Sequence, residues 1–244
     1  MAKVSIIIAS AGKGERFGSD EKKTFAKIDG RPVFIRTLEM FINRDDVCQT
    51  LLVVSPDEVG QMKDKYGPNL GFMGVKLVEG GDTRCQSVAN GLKEVRDDAD
   101  LVAIHDAVRP CVTEDMINAV FAEAVKGGAA ILASPLHGTI KRVSGSNVID
   151  ETVPRESLYE AQTPQVFKRD LVVDAFAKLP EDCSQITDDA QVIEMYGHPV
   201  SVVNSDPSNL KITTRGDINL AAAIIKSRPA KSVPKLGAFE EAQW

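Results

Sequence analysis

A mainly parallel β-sheet with helices on both faces is the fold this sequence predicts, and three observations predict it. Short, continuously apolar runs rich in β-branched residues recur along the chain, each about the length of a buried strand. Stretches of helical spacing separate them, so strand and helix alternate. At 244 residues, 43% apolar and 26% charged, the chain has the size and composition of one large globular unit. A chain of this length buries about 70–75% of its unfolded surface, enough for a core without disulfides or metal.

Val4–Ala9 reads as the first buried strand, ending in Ser10-Ala11-Gly12. Residues 32–42 place Val33, Phe34, Ile35, Leu38 and Phe41 at helical spacing, with Pro32 suited to the first turn. A second strand over 51–54 stops at Ser55-Pro56, and a polar helix over 57–66 closes at Gly67-Pro68. A third strand over 75–78 turns at Gly80-Gly81-Asp82 into a helix over 87–95. The fourth strand, 101–104, ends in His105-Asp106. Thr113 can cap a helix over 114–126, whose first turn carries Glu114 and Asp115 as the helix dipole prefers. Residues 129–134 form a fifth strand. Ligands in such Rossmann-like sheets sit at the carboxyl ends of strands, so the polar loops after Ala9, Val78, Ile104 and Ser134 share one active rim.

The alternation breaks over about 136–156. Residues 139–143 and 148–153 alternate in the β manner around Ser144-Gly145-Ser146-Asn147, which reads as a hairpin arm projecting from the sheet. A two-stranded ribbon is marginal alone, so a homodimer formed through the arm is expected. Helices over 169–177 and 188–196, the latter capped by Thr187, a strand over 200–203 and a helix over 215–226 follow. The expected organisation is one domain over 1–226 and a loose tail over 227–244.

Composition excludes several classes. A net charge of −6 offers no global attraction to nucleic acid or to an anionic membrane. Cys48, Cys85, Cys111 and Cys183 form no CxxC pair, which argues against a disulfide framework or a zinc site and fits a reduced cytoplasm. No segment has the length of a membrane span, and the first apolar run is too short for a signal peptide. His105, His137 and His198 lack metal-ligand spacing.

The segment Ser10-Ala11-Gly12-Lys13-Gly14-Glu15-Arg16-Phe17-Gly18 sets glycines and basic residues directly after a strand, where backbone amides can approach an anion. It is not a dinucleotide fingerprint, because the third glycine comes one residue late, nor a P-loop, because no Gly-Lys-Ser/Thr follows. With Lys22-Lys23 and Gly30-Arg31-Pro32 behind it, the order resembles the sugar-nucleotide and cytidylyl transferase superfamily, whose fold is nucleotide-diphospho-sugar transferase-like. The later segments resemble the 2-C-methyl-D-erythritol 4-phosphate cytidylyltransferase family: Gly80-Gly81-Asp82-Thr83-Arg84 with Ser87, His105-Asp106-Ala107-Val108-Arg109-Pro110, Thr139-Ile140-Lys141, Thr163-Pro164-Gln165, Thr187-Asp188-Asp189-Ala190 and Asn209-Leu210-Lys211-Ile212-Thr213. The likeness spans roughly residues 4–225.

The resemblance implies transfer of CMP from CTP to methylerythritol phosphate, with release of pyrophosphate, in non-mevalonate isoprenoid precursor synthesis. The acceptor phosphate is already an anion, so catalysis rests on cations and Mg²⁺ rather than on a strong base. By resemblance Arg16 and Lys23 stabilise the transition state. Arg155 and Lys211 aim the acceptor phosphate, Arg155 reaching from the arm into the partner's site. Ser10, Ala11, Gly12, Gly14, Gly81, Asp82 and Ser87 hold cytosine and ribose, although Ser87 also suits a helix cap. Asp106, Arg109, Thr139 and Thr163 face the acceptor, and Asp106 is the candidate metal ligand if Mg²⁺ is not held by the triphosphate alone. Glu21-Lys22-Lys23, Gly138-Thr139 and Pro154-Arg155 depart from the family's usual Pro-Lys, Asp-Thr and Asp-Arg. Two alternatives stay open: a pentitol acceptor such as ribitol 5-phosphate, and a non-catalytic nucleotide-binding regulatory dimer.

Overall fold

The apolar runs become the strands of a seven-stranded sheet, in a computed structural model that describes residues 1–11, 17, 23–180 and 182–228. In chain order these strands are β1 (Val4–Ala9), β4 (Val47–Val54), β5 (Val75–Glu79), β6 (Leu101–Asp106), β7 (Ala129–Pro135), β10 (Tyr159–Lys168) and β11 (Ser201–Asn204). Two short ribbons account for the remaining strand numbers: β2 (Lys27–Ile28) with β3 (Arg31–Pro32), and β8 (Ile140–Val143) with β9 (Ile149–Val153). The large sheet runs β11-β7-β10-β6-β1-β4-β5. Every pairing is parallel except the two made by β10, so the carboxyl ends of the other six strands share one rim.

Why those runs read as unbroken rather than alternating is visible in the packing. Ile6 and Ile8, Leu52 and Val54, and Ala103 face one core, while Ile7, Leu51 and Val53, and Val102 and Ile104 face the other. Both faces of the period-two ribbon are dry, as a parallel sheet between helices requires. Helices α1 (Val33–Glu39), α2 (Val59–Phe72) and α4 (Glu114–Gly127) cover the first face. Helices α3 (Arg84–Leu92), α5 (Arg169–Ala177) and α6 (Asp189–Met195) cover the second. A third cluster packs α7 (Gly216–Ser227) on β2, through Ala221, Ile28, Val33 and Ile212.

Several boundaries differ from expectation, each for a physical reason. Helix α2 continues through Gly67-Pro68 to Phe72, because Met62, Tyr66, Leu70 and Met73 form one apolar stripe that packs on the core across the breaker. The expected helix at Gly30-Arg31-Pro32 begins only at Val33, since Arg31–Pro32 pairs with Lys27–Ile28 first. Helix α6 is capped by Asp188, whose Oδ1 accepts from Gln191 N–H at 3.0 Å; Thr187 does not cap it. Thr113 does cap α4 as expected, accepting from Met116 N–H at 3.2 Å. Helix α7 extends to Ser227, and the expected tail lies from residue 229 onward outside the described residues.

The unanticipated element is β10. It inserts antiparallel between β6 and β7 and is polar in sequence, with Pro164 in its middle. Its ladder with β7 is broken between Ala161 and Gln165, a bulge that removes Pro164 from any need to donate. The Thr163-Pro164 bond is cis. Side chains satisfy the groups the bulge releases: Asn209 Nδ2 donates to Gln162 Oε1 at 3.0 Å and to Thr163 O at 2.9 Å. Gln165 ties the same strand to α6, donating to Asp188 Oδ2 at 2.9 Å and accepting from Ala190 N–H at 2.8 Å.

The hairpin forms as expected, β8 pairing antiparallel with β9. It stays open to solvent, with Val148 61% and Ile149 58% exposed. Arg142 pairs with Glu151 at 2.6 Å across it.

Replacing Asn209 by alanine should leave two buried acceptors unpartnered at the bulge and destabilise the chain by about 2–3 kcal/mol. The check is a fall in urea midpoint with the slope unchanged.

Candidate active site

The rim pocket is built by five segments that the sheet brings together. Its lining comes from Ala9, Ser10 and Ala11 at the end of β1, Lys23 and Thr24 in the following turn, Arg84 and Ser87 on α3, and Asp106 with Lys211. Ser10 N–H donates to Val53 O at 2.8 Å and Ala107 N–H to Ala9 O at 3.0 Å, so the chain leaves β1 tied to both neighbouring strands. Ser10 Oγ reaches Thr24 Oγ1 at 3.3 Å.

The glycine pair after β5 permits a close approach. A Cβ on Gly80 would lie 2.7 Å from Ser87 Oγ, and one on Gly81 would lie 2.6 Å from Gln86 Cβ. Only bare backbone fits there. Ser87 is not the cap of α3: Thr83 is, accepting from Gln86 N–H at 3.1 Å while Gln86 Oε1 accepts from Thr83 N–H at 3.2 Å. Ser87 Oγ instead donates to Thr83 O at 2.8 Å and accepts from Gly81 N–H at 3.0 Å, fixing the loop over the pocket.

Asp106, the last residue of β6, is the centre of the charge arrangement. Its Oδ2 lies 2.8 Å from Lys211 Nζ and 3.4 Å from Arg109 Nε, and its Oδ1 lies 3.7 Å from Arg84 Nε. Arg109 Nη1 donates to Asn209 O at 2.6 Å. Ile212 N–H donates to Val108 O at 2.9 Å, which docks the 209–212 segment beside the turn and delivers Lys211. Burial alone would raise the Asp106 pKa, but Lys211, then Arg84 and Arg109, outweigh it and hold the carboxyl well below the usual carboxylate range. Arg84 is in turn gripped by Asp189 of α6, at 2.9 Å and 2.7 Å through two parallel bonds. Burial opposes its charge, yet Asp189 and Asp106 together raise its pKa above the usual arginine value.

Behind Asp106 a second chain fixes a tautomer. Asp106 N–H donates to Thr163 Oγ1 at 3.1 Å, and because Arg109 O beside His105 Nε2 can only accept, His105 Nδ1 is the bare nitrogen and accepts from the threonine hydroxyl at 3.0 Å. His105 Nε2 then carries the proton and donates to Arg109 O at 3.1 Å. Burial pushes the His105 pKa down to about 4, against the opposing pull of Asp106. The ring is structural.

The residues expected from sequence divide into three groups. Ser10, Ala11, Lys23, Ser87, Asp106 and Lys211 line one pocket; Gly81, Arg109 and Thr163 stand directly against these. Thr139 and Arg155 do not join them: Thr139 is exposed before β8, and Arg155 is exposed at the foot of the arm, where it donates to His137 O. Asp82 is also exposed. Gly12, Gly14 and Arg16 lie outside the described residues. Sequence reasoning gave no role to Arg84, Asp189, Asn209 or Gln162. The first three stand inside quoted motifs, and a pairing across 105 residues has no local signature.

Among the described residues no three His, Cys, Asp or Glu side chains gather as a metal cage. Asp106, the candidate ligand, has a cation on each oxygen. Among the described residues that line the pocket, Asp106 is the carboxylate that could help hold a divalent cation.

A mainly parallel sheet whose rim gathers cations and bare amides around one pocket places this chain among the α/β proteins that bind ligands at the carboxyl ends of their strands. Residues 4–227 match the family model described as 2-C-methyl-D-erythritol 4-phosphate cytidylyltransferase. The protein of that name from Rhodopirellula baltica is 40% identical over 235 residues, covering 92% of this chain and 95% of the relative. That from Alkaliphilus oremlandii is 38% identical, covering 93% and 97%. Among solved structures, 4-diphosphocytidyl-2C-methyl-D-erythritol synthase from Anaerococcus prevotii superposes with a TM-score of 0.77 at 30% identity, covering 92% of this chain and 99% of that one. The chain belongs to the 2-C-methyl-D-erythritol 4-phosphate cytidylyltransferase family.

The folded-state pKa of His105, about 4, lies below its ordinary 6.5, so the unfolded chain binds the extra proton between those values. The contribution to stability, about 3 kcal/mol, is complete above pH 6.5 and is lost as the pH falls toward 4. Imidazole ¹⁵N spectra should show a neutral, Nε2-protonated ring at pH 5.5; a charged ring there would contradict this packing.

Proposed function

We propose that the rim pocket performs cytidylyl transfer by neutralising phosphate charge. The observation that carries this reading is the gathering of Lys23, Arg84 and Lys211 around Asp106 beside the bare Gly80-Gly81 loop. The chain transfers CMP from CTP to 2-C-methyl-D-erythritol 4-phosphate, a step of non-mevalonate isoprenoid precursor synthesis. An oxygen of the acceptor phosphate bonds to the α-phosphorus of CTP as the α–β bridging P–O bond breaks. Pyrophosphate leaves with the bonding pair and 4-diphosphocytidyl-2-C-methyl-D-erythritol forms. No proton has to be removed from the nucleophile, which suits a pocket furnished with cations.

Within that reaction, Lys23 and Arg16 hold the charge that builds on the α-phosphate and the departing pyrophosphate. Ser10, Ala11, Gly12, Gly14, Gly81, Asp82 and Ser87 take the nucleoside through backbone and short polar groups. Lys211 grips the acceptor phosphate, Asp106 receives acceptor hydroxyls, and Arg109 and Thr163 keep Asp106 in place. Mg²⁺, bound by the nucleotide phosphates, supplies further positive charge at the same place.

Arg155 and Thr139 complete the acceptor site from a second copy, with the arm crossing a homodimer. The open apolar faces of Val148 and Ile149 and the marginal stability of a lone ribbon support that assembly. No helix among the described residues is long and apolar enough to cross a membrane, and a cytoplasmic setting accords with the four unpaired cysteines.

Arg16→Ala or Lys23→Ala should lower kcat by about 10²-fold or more, as loss of one preorganised donor does elsewhere. Pyrophosphate release measured with CTP, Mg²⁺ and methylerythritol phosphate checks it, and equal or faster turnover of ribitol 5-phosphate would move the acceptor assignment. Mixing Arg155→Ala with Lys23→Ala subunits should restore activity above either parent, since a mixed dimer holds one intact site. A mixture no better than the parents would confine Arg155 to its own chain.

A further inference from the structure

We infer that Arg84, clamped by Asp189, is a positioning residue that holds Asp106 Oδ1 so that Lys211 can turn from Oδ2 to the acceptor phosphate. The inference rests on the transfer reading given above and gives Arg84 and Asp189 individual tasks within it.

Lys211 Nζ lies 2.8 Å from Asp106 Oδ2, while its side chain is 36% exposed and lines the pocket. To grip a phosphate, Lys211 has to be shared or to leave Asp106, and a buried carboxylate that loses its nearest cation resists that change. Arg109 cannot take over alone. Its Nε is 3.4 Å from the same oxygen, and its Nη1 is committed to Asn209 O at 2.6 Å. Arg84 serves the opposite oxygen, 3.7 Å from Oδ1.

What keeps Arg84 there is Asp189. Both carboxylate oxygens take parallel bonds from its guanidinium, at 2.9 Å and 2.7 Å, and the Asp189 side chain is only 1% exposed. Asp189 sits in the first turn of α6, whose cap Asp188 is tied to Gln165 of β10. The guanidinium is therefore anchored to the frame, not to the mobile end of another side chain. With Arg84 in place, Asp106 keeps a cation on each oxygen site as Lys211 shifts. Without it, Lys211 stays the dominant partner and the loss falls on acceptor binding, not on CTP.

Arg84→Met alone strands a buried Asp189 charge and can unfold the chain, so the informative variant is Arg84→Met with Asp189→Asn, tested in wild-type and Lys211→Ala backgrounds. We expect the acceptor KM to rise about tenfold while CTP affinity by calorimetry changes less than about twofold. In the Lys211→Ala background the same double change should cost less than about twofold more, because it acts through Lys211. Arg84→Lys with Asp189 intact should recover part of the loss. Equal losses for CTP and acceptor, or full multiplication with Lys211→Ala, would overturn the inference alone. A wild-type chain that releases no pyrophosphate from CTP and acceptor would overturn the transfer reading itself.

Discussion

A single ionised carboxylate, buried at the end of β6, organises this protein. Left alone, Asp106 would be costly to keep charged, and the three neighbouring segments could not crowd their cations together. Placed side by side, each removes the other's penalty. Lys211, Arg84 and Arg109 arrive from the 209–212 segment, from α3 and from the turn after β6, and all three direct charge at Asp106. The result is a group of cations preassembled around one buried carboxylate.

That arrangement in turn depends on the sheet. Because β1, β4, β5 and β6 are parallel neighbours, their carboxyl ends deliver Ser10, the Gly80-Gly81 loop and Asp106 to one place. The insertion of β10 adds the other half. Its bulge presents Thr163 to Asp106 and His105, and its Gln165 fixes the start of α6, from which Asp189 reaches Arg84. The buried polar groups form a connected set in which nearly every donor finds an acceptor. Such networks specify one arrangement more sharply than apolar packing does.

The fold also keeps two of the expected acceptor residues away from the pocket. Thr139 and Arg155 stand on or beside a ribbon that leaves Val143, Val148 and Ile149 exposed. An acceptor site finished by a second copy would couple assembly to activity, with the nucleotide half built by one chain and the phosphate grip shared.

The amino-acid sequence by itself determined the strands and most helices, because both faces of a parallel strand are buried and leave an unbroken apolar run that any reader can find. It also carried the family, since motifs such as His105-Asp106-Ala107-Val108-Arg109-Pro110 are contiguous in the chain. Only the tertiary structure decided the rest. The polar, proline-bearing β10 is a central strand because Asn209 and Gln162 satisfy its bulge, and α2 runs past Pro68 because its apolar stripe meets the core. Arg84 and Asp189 became partners for the same reason: they are separated by 105 residues, and the bond between them exists only once α3 and α6 lie on the same face of the sheet.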